Sequence, residues 1–437
     1  MNVLLLDPPW RRRIFRDCFC TSVAKADYGW HPADLLAQSS LLRETGMTPV
    51  VLDAVAEGLP ADEALRRALG TAAEAVFALT SPVSAPEDEA FLAGLPRVPT
   101  VVTGEEAAID PGGYLQAHEA VDAVLWDFTS PALAQWLGGE RDPSRLPGLS
   151  FRGDGGIVHG RDPVPGPFAL PPPVHEAFPR GRYRMPALGR DFATLVTDFG
   201  CPHRCALCNS GVLGHRVRDP VSIASDLDRI RVLGFRRVFV KAMSFGTPRA
   251  HALEVCGMLS RAGMTWTAYV RPDVLDGELA VAMARSGCRR VRMGVESGDE
   301  ALRRAYGKTI PDARILEAGR AARDAGMEIG VHLVVGLPGE GPSTLLASRA
   351  LLRRLDPDDL SINLPVVRRG SRDDRGGRPV ADEVPAWLPA ARALLYAGYL
   401  ARPAFVARTF RAAIRDGEGP DLLRDGWTLL TGRRPGR

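Results

Sequence analysis

A chain of 437 residues that is 45% hydrophobic and 24% charged has the composition of a globular protein and room for two domains. Its net charge is only +3 and its arginines are scattered among acidic residues, which excludes the concentrated basic surface of a nucleic-acid-binding protein. Its first residues, MNVLLLDPPWRRR, do not fit a secretory signal, and no apolar run has membrane-spanning length, so we expect neither a signal peptide nor a membrane span. Its seven cysteines are too few and too clustered for a disulfide scaffold, so we expect a cytoplasmic protein.

The first 145 residues alternate between predicted strands and predicted helices. Strands are predicted at 2–7, 48–54, 74–80, 99–104 and 122–127, and helices at 33–46, 61–70 and 85–95. Near-continuous apolar strands that alternate with helices are typical of a parallel, doubly wound sheet. Such sheets bind ligands at the C-terminal ends of their strands, near the switch point. Here those ends are DPPW (7–10), TSPVS (80–84) and WDFTS (126–130).

Residues 146–190 have a different character. The segment LPGLSFRGDGGIVHG predicts a small hairpin, because GDGG supplies turn glycines, and the Pro-rich stretch after it predicts an extended linker. A second alternation follows, with strands predicted at 192–197, 236–241, 265–270, 289–294, 328–335 and 360–364, and helices at 220–233, 248–262, 277–286, 311–325 and 342–355. Six such β/α repeats predict a partial barrel with its site at the C-terminal strand ends.

The predicted fold class is therefore α/β. It has a doubly wound, Rossmann-like domain over 1–145, a hairpin and linker over 146–190, and a partial (β/α)6 barrel over 191–370. The remaining residues, 371–437, begin with a charged loop and continue as Arg-rich helices, which predicts a helical C-terminal extension.

Three of the seven cysteines lie within eight residues, directly after the first predicted barrel strand. Cys201, Cys205 and Cys208 are spaced C-x3-C-x2-C. Together with His203 or His215 they would suit zinc, which takes four thiolate or imidazole ligands. Three thiolates would also hold three irons of a cubane cluster and leave the fourth iron open for another ligand. The spacing by itself leaves both interpretations standing.

The segment CPHRCALC followed by six β/α units resembles the radical S-adenosylmethionine (SAM) enzymes, over about residues 190–365. The resemblance implies a [4Fe-4S] cluster on Cys201, Cys205 and Cys208, whose open iron binds the amino and carboxylate groups of SAM. It further implies that the reduced cluster passes an electron to the sulfonium, which yields a 5′-deoxyadenosyl radical. The cofactor would carry this chemistry, and an external donor such as flavodoxin or ferredoxin would supply the electron.

Three further segments resemble parts of the same family. VRMGVESGDEALRRAYGKT (291–309) is similar to the fourth-strand segment that meets the ribose or amino group of SAM. VHLVVGLPGE (331–340) is similar to the fifth-strand segment that flanks adenine, and WTAYVRPDVLD (266–276) is similar to a third-strand segment facing the pocket. The cofactor-binding residues that the resemblance implies are Glu296, Ser297, Gly336, Glu340 and Arg271, with Asp273 as the alternative to Arg271.

A doubly wound domain, a hairpin and a Pro-rich strap before such a barrel resemble the cobalamin-binding subclass. The resemblance implies that cobalamin lies between the two domains and that methylcobalamin donates a methyl group to a substrate radical. We expect the backbone at Pro8, Pro9, Thr80 and Ser81 to contact the corrin edge. The alternative is a vestigial domain that only covers the barrel.

The segment RDCFCTSVAKADYGWHPADLL (16–36) follows the first strand, where these domains contact their ligand. It lacks the Asp-x-His-x-x-Gly motif that supplies a lower-axial histidine. Cys18 and Cys20 are predicted as metal ligands, reactive thiols or buried side chains, and burial is favoured. His31 is predicted either to approach the cobalt or to pack in the core.

The leading functional interpretation is a cobalamin-dependent radical SAM methyltransferase. Its substrate would be an unactivated carbon or phosphorus centre of a biosynthetic intermediate or natural product. One alternative is an enzyme of the same architecture that catalyses a cyclisation, rearrangement or oxidation without methylation. The other is a zinc-stabilised binding protein. We expect a small-molecule substrate, no nucleic-acid partner and no membrane span.

Overall fold

The structure is a computed structural model that describes residues 1–17, 20–24, 28–365, 368, 370–371 and 387–416. The chain divides into two compact units. The first comprises Met1–Pro186, Arg190–Phe199 and Arg216–Phe235, and the second comprises Ala187–Gly189, Gly200–His215 and the chain from Arg236 onward. Within the described ranges, no helix combines the length and the apolar character that crossing a membrane requires.

The first unit contains a mostly parallel sheet flanked by helices. Its strands are β1 (Asn2–Asp7), β2 (Ile14–Asp17), β3 (Cys20–Val23), β4 (Thr48–Asp53), β5 (Ala75–Leu79), β6 (Thr100–Thr103), β7 (Ala123–Leu125), β8 (Leu149–Gly153), β9 (Gly156–His159) and β10 (Ala193–Val196). Its helices are α1 (Ala33–Glu44), α2 (Ala54–Glu57), α3 (Ala61–Gly70), α4 (Ala85–Ala93), α5 (Glu105–Ile109), α6 (Pro111–Ala117), α7 (Ala132–Leu137) and α8 (Pro220–Val232).

The seven-stranded sheet of this unit has the order β4-β1-β5-β6-β7-β8-β9. Strand β1 pairs in parallel with β4 on one side and with β5 on the other. The chain runs from β1 to β4 and then crosses to β5, so the strand order reverses beside β1. The switch point therefore lies at the C-terminal ends of β1 and β5, where such sheets bind ligands.

Apolar strands hold this sheet in the core. Leu4 and Leu6 of β1 and Val76 and Ala78 of β5 are buried in one hydrophobic cluster. The predicted hairpin forms β8 and β9, which pair antiparallel, and the paired glycines Gly153 and Gly156 bound its turn. The predicted doubly wound architecture is confirmed.

The sequence did not predict the short helices α2, α5, α6 and α7 of the first unit, nor a hairpin near its start. Strands β2 and β3 form an antiparallel hairpin between β1 and α1, with Ile14 opposite Val23 and Asp17 opposite Cys20. Polar and charged residues interrupt the apolar pattern of this stretch, RRRIFRD, so its sequence carries no clear strand signal.

The second unit contains the later β/α repeats. Its strands are β13 (Arg237–Phe245), β14 (Thr265–Val270), β15 (Cys288–Glu296), β16 (Glu328–Val334) and β17 (Asp359–Asn363), and these five pair in parallel in chain order. Its helices are α9 (Arg249–Arg261), α10 (Gly277–Arg285), α11 (Glu300–Ala305), α12 (Asp312–Asp324), α13 (Pro342–Leu355), α14 (Leu388–Leu400) and α15 (Pro403–Asp416). Two short strands, β11 (Asp198–Gly200) and β12 (His215–Val217), border the cysteine segment. All six predicted barrel strands are present, because β10 is the first of them.

The C-terminal helices complete the second unit. The backbone N–H of Ile362 in β17 donates to the hydroxyl oxygen of Tyr396 in α14, at 2.8 Å. The hydroxyl of Tyr399 donates to the carbonyl oxygen of Pro357, just before β17. Tyr396 of α14 therefore accepts a hydrogen bond from a backbone donor of the last strand. A helix that covers an edge strand protects it from pairing with another chain. The predicted helical extension is confirmed over α14 and α15.

Candidate functional site

The three cysteines of the C-x3-C-x2-C segment share one loop between β11 and β12. Each thiol is partly buried and none forms a disulfide. The backbone N–H of Cys208 donates to the carbonyl oxygen of Cys205 at 3.1 Å, which closes a tight turn. The N–H of Ala206 donates to the carbonyl oxygen of Tyr306 at 3.0 Å. The loop is thus tied to the segment that follows α11.

Two glycines let this loop close on itself. Gly200 has φ +71°, and a Cβ atom there would lie 1.8 Å from the carbonyl oxygen of Gly214. A Cβ atom at Gly211 would lie 2.1 Å from the carbonyl oxygen of His203. Only glycine allows both backbone approaches. The path of the loop therefore depends on these glycines as well as on its cysteines.

A charged pair from the end of β14 contacts the cysteine loop. Nη1 of Arg271 lies 3.6 Å from Sγ of Cys205. Asp273 binds the same guanidinium with both oxygens, Nε to Oδ1 at 3.0 Å and Nη2 to Oδ2 at 2.8 Å. Burial alone would raise the pKa of Asp273, but the hydrogen bonds and charge of Arg271 outweigh it and lower that pKa below its usual value. Asp273 is therefore an anion that holds Arg271 in place.

The loop also contains polar atoms that lack partners. Both ends of the buried Asn209 amide, and Nε2 of His203, have no hydrogen-bond partner in the described structure. Buried polar atoms without partners are uncommon, and an absent ligand is one physical explanation. Burial and the charge of Arg271 lower the pKa of His203, so its imidazole is neutral near pH 7.

Three soft sulfur donors on one loop, beside a cation and unsatisfied polar atoms, fit an iron–sulfur cluster in donor chemistry. Burial raises the pKa of Cys201 to about 11, so this thiol is protonated without a metal. Among the described residues, no three His, Cys, Asp or Glu side chains are arranged to hold a metal ion. A bound cluster would hold these cysteines as thiolates, so binding would require the thiols to lose their protons.

Glu296 ends β15 in a strained conformation. Its φ of +68° lies in the left-handed region, which non-glycine residues seldom adopt and which often marks functional sites. Nζ of Lys308 lies 2.7 Å from Oε1 of Glu296, and the Lys308 side chain is only 8% exposed. Lys308 was not among the predicted site residues, although its segment, AYGKT, was part of the resemblance. The pair places a fixed carboxylate at the C-terminal strand edge.

Ser297 has a different role in the structure. Its side chain is buried and its hydroxyl oxygen accepts from the N–H of Asp299 at 3.1 Å. Its carbonyl oxygen accepts from Nη1 of Arg303 at 2.7 Å. Ser297 therefore organises the start of α11, and its predicted contact with a cofactor stays a prediction.

Gly336 and Glu340 lie together after β16. The N–H of Gly336 donates to Oε2 of Glu340, whereas Oε1 of Glu340 is buried without a partner in the described structure. Burial raises the pKa of Glu340 above its usual value. Gly336 has φ +104°, and a Cβ atom there would lie 2.3 Å from Cδ2 of Leu388 in α14. The segment predicted to flank adenine thus packs directly on the C-terminal extension.

We expect Gly336→Ala to destabilise the second unit by about 1–3 kcal/mol, because its φ is strained for alanine and its methyl group would displace Leu388. Thermal unfolding followed by circular dichroism measures the change. Gly257→Ala, in helix α9, is the control, because the nearest atom to its Cβ is the mobile end of Arg261, at 3.4 Å. An unchanged unfolding temperature for Gly336→Ala would show that α14 moves aside without cost.

The residues predicted to line a corrin edge lie at the switch point of the first unit. Pro8, Pro9, Thr80 and Ser81 follow the C-terminal ends of β1 and β5, and all four are buried. The N–H of Thr80 donates to the carbonyl oxygen of Thr103 at 2.8 Å. The structure thus brings these residues to one edge of the sheet, while their contact with a corrin remains a prediction.

A buried arginine from the unpredicted hairpin reaches the same edge. The Arg16 side chain is fully buried, and its Nη1 donates to Oδ1 of Asp7 at 2.5 Å and to the carbonyl oxygen of Pro8 at 2.9 Å. Its Nη2 donates to Oδ1 of Asp88 at 2.7 Å, and its Nε to the hydroxyl oxygen of Ser84 at 3.0 Å. Burial raises the pKa of Asp88 to about 6 despite the opposing charge of Arg16. Arg16 therefore links β1 to the start of α4.

The histidine of the same region packs in the core of the first unit. His31 is buried, its Nδ1 lies 3.0 Å from the hydroxyl oxygen of Thr194, and its ring centroid lies 4.0 Å from that of Tyr183. Burial lowers its pKa well below the usual value. Of the two predicted roles for His31, the structure shows packing. Cys18 lies outside the described residues, and the description of Cys20 covers its backbone only.

Comparison with known families agrees with the geometry of the cysteine loop. Residues 196–352 match the family model of the Radical SAM superfamily. These residues form a radical SAM domain. The match includes the three cysteines, the Glu296–Lys308 pair and Gly336, and the predicted resemblance to radical SAM enzymes is confirmed.

The whole chain also resembles longer proteins. It is 23% identical over 392 residues to an uncharacterized methyltransferase of Pyrococcus horikoshii, covering 85% of this chain and 82% of that protein. Its fold is similar to the radical SAM methyltransferase TsrM from Kitasatospora setae, solved with cobalamin and a [4Fe-4S] cluster. The TM-score is 0.66 at 17% identity, covering 85% of this chain and 73% of TsrM.

A second solved structure extends this likeness. The cobalamin-dependent SAM radical enzyme OxsB, with aqua-cobalamin and SAM bound, matches with a TM-score of 0.62 at 15% identity. The match covers 93% of this chain and 56% of OxsB. At these identities the likeness concerns the fold. A doubly wound domain followed by a radical SAM domain is thus the architecture of this chain.

Proposed function

We propose that this radical SAM enzyme is a cobalamin-dependent methyltransferase that modifies an unactivated carbon or phosphorus of a biosynthetic intermediate or natural product. The cysteine loop is the observation that carries the proposal. It presents three thiols beside Arg271, whose Nη1 lies 3.6 Å from Sγ of Cys205. Such a loop suits a cluster with three protein ligands and one open iron.

In this proposal Cys201, Cys205 and Cys208 each hold one iron. A [4Fe-4S] cluster, when bound, supplies the electron that cleaves SAM. The Glu296 carboxylate accepts hydrogen bonds from the amino group or ribose of SAM, and its ion pair with Lys308 keeps it oriented. The backbone around Gly336 flanks the adenine.

Two observations support cobalamin. The first unit has a doubly wound sheet whose switch point carries the residues Pro8, Pro9, Thr80 and Ser81. TsrM and OxsB, which share the fold, were both solved with a cobalamin. A methyltransferase name for the Pyrococcus horikoshii relative supports methyl transfer over the non-methylating alternative. We further propose a small-molecule substrate, a flavodoxin-like or ferredoxin-like electron donor, and a cytoplasmic location.

The test is anaerobic reconstitution of the full chain with iron, sulfide and hydroxocobalamin, followed by reduction with SAM present. Iron and sulfide near four each per chain are expected, together with cobalamin that stays bound through gel filtration. Mass spectrometry should find 5′-deoxyadenosine. It should also find S-adenosylhomocysteine, which forms when SAM methylates the bound cobalamin. Deoxyadenosine without S-adenosylhomocysteine would favour the non-methylating alternative. A chain that takes up zinc and no iron would overturn the proposal.

We expect Lys308→Gln to weaken SAM binding to the reconstituted protein about tenfold or more, because Glu296 would lose the ion pair that orients its carboxylate, and removing such a supporting contact typically costs at least about tenfold. Equilibrium ultrafiltration with labelled SAM measures the dissociation constant. Arg304→Gln is the matched control, because Arg304 forms an exposed pair with Glu300 on the nearby helix α11. Equal dissociation constants for Lys308→Gln and the wild type would show that Lys308 does not contribute to SAM binding.

A further inference from the structure

The contact between Arg271 and Cys205 joins residues that are 66 positions apart in the chain. The Arg271 side chain is 14% exposed, so this contact lies largely away from solvent. Asp273 occupies Nε and Nη2 of the guanidinium, which leaves Nη1 directed at the Cys205 sulfur. The plane of a guanidinium held by two carboxylate oxygens is fixed, so the donor direction is fixed as well.

The described charges next to this sulfur are those of Arg271 and its partner Asp273. Asp273 balances the charge of Arg271 and lies on the far side of the guanidinium from the thiol. Among the hydrogen bonds of the described residues, the donor to the Cys205 sulfur is the cationic guanidinium of Arg271.

We infer that Arg271 is a positioning residue that raises the reduction potential of the cluster by donating from Nη1 to the sulfur of Cys205. This inference rests on the proposed function. One-electron reduction adds a negative charge to a cluster and its sulfurs. A cationic donor at a ligating sulfur stabilises that added charge, and hydrogen bonds to sulfur and local charge are known determinants of such potentials. Arg271 would thus ease electron entry without contacting the reacting carbon–sulfur bond.

The experiment is a redox titration of the reconstituted full chain without SAM, followed by electron paramagnetic resonance. Arg271→Gln is expected to lower the reduced-to-oxidised ratio about tenfold at a fixed solution potential, which is about 59 mV for a one-electron couple. The control is Arg249→Gln, which removes an equal charge from a partly exposed pair with Asp276 and Glu278 and should leave the potential unchanged.

A double variant separates the hydrogen bond from net charge. Arg271→Gln with Asp273→Asn removes one charge of each sign, so it should recover part of the loss and remain below the wild type. A double variant at the wild-type potential would overturn the role of the hydrogen bond. If Arg271→Gln binds no cluster, Arg271→Lys is measured in its place. Lysine keeps the positive charge on a shorter side chain, so the reduction potential of this variant should decrease by a smaller amount. A potential at or above wild type would overturn the inference.

The two hypotheses fail in different ways. Iron and sulfide analysis comes first for every variant. A wild-type chain without iron would overturn both the proposed function and this inference. A normal cluster whose potential is the same in Arg271→Gln and in the wild type would overturn the inference alone.

Discussion

The Cys205→Ala variant is expected to form no 5′-deoxyadenosine above the enzyme-free background when reduced with SAM. Two thiolates cannot anchor three irons, so the cluster that the proposed function requires would be lost or would be labile. Arg271 would at the same time lose the sulfur that its Nη1 contacts. Anaerobic reconstitution followed by iron analysis and nucleoside mass spectrometry measures the loss.

The fold itself should survive this change. Cys205 is on a loop and is partly exposed, so removing its thiol is expected to change the free energy of unfolding by no more than about 0.5 kcal/mol. Cys256→Ala is the matched control, because Cys256 is buried in α9, outside the cysteine loop. It should keep both the iron and the activity. Cleavage of SAM by Cys205→Ala at the wild-type rate would refute the cluster assignment.

The Arg16→Met variant is expected to destabilise the first unit by about 3–5 kcal/mol, because it leaves buried carboxylates without their cation. Asp7 and Asp88 each form an ion pair with Arg16, and both are almost completely buried. Because burial raises the pKa of Asp88 to about 6, this carboxyl is neutral at lower pH and the loss should shrink there. Urea unfolding at pH 5 and pH 8, followed by circular dichroism, measures the difference.

Two comparisons make this prediction specific. Arg66→Met removes an exposed arginine that pairs with Glu63, so it should change stability by no more than about 0.5 kcal/mol. Adding Asp7→Asn and Asp88→Asn to Arg16→Met removes the buried carboxylates that have lost their cation, and most of the stability should return. Wild-type stability of Arg16→Met at pH 8 would mean that water replaces the guanidinium at these carboxylates.

Much of the fold could be predicted because its signals are local. The helix predicted at 61–70 is α3, with the same bounds, and the strand predicted at 265–270 is β14, again with the same bounds. Each has the hydrophobic residues typical of its element, and a residue that favours turns stands at or just past its end: Gly70 for α3 and Pro272 for β14. The β2–β3 hairpin was missed because its strongest contacts come from elsewhere in the chain. Arg16 is 72 positions from Asp88, and no local pattern reports such a pair.

The residues of the candidate site also fall into those that the sequence predicted and those that it did not. The spacing of Cys201, Cys205 and Cys208 identified three soft donors on one segment, and the segment resemblance located Glu296 and Gly336. Lys308 was missed because a lysine twelve residues after Glu296 has no periodic relation to it. Its pairing depends on the left-handed turn at Glu296, which no residue preference would predict.

The donor chemistry, the order of the main strands and helices and the kinship with radical SAM enzymes could all be predicted from the chain. These properties depend on residue type and spacing along the chain. The pairing of Arg271 with Cys205, of Lys308 with Glu296 and of Arg16 with two carboxylates emerged only in the folded chain. Each contact joins different elements of the fold, and burial there removes water and makes an unpaired charge costly.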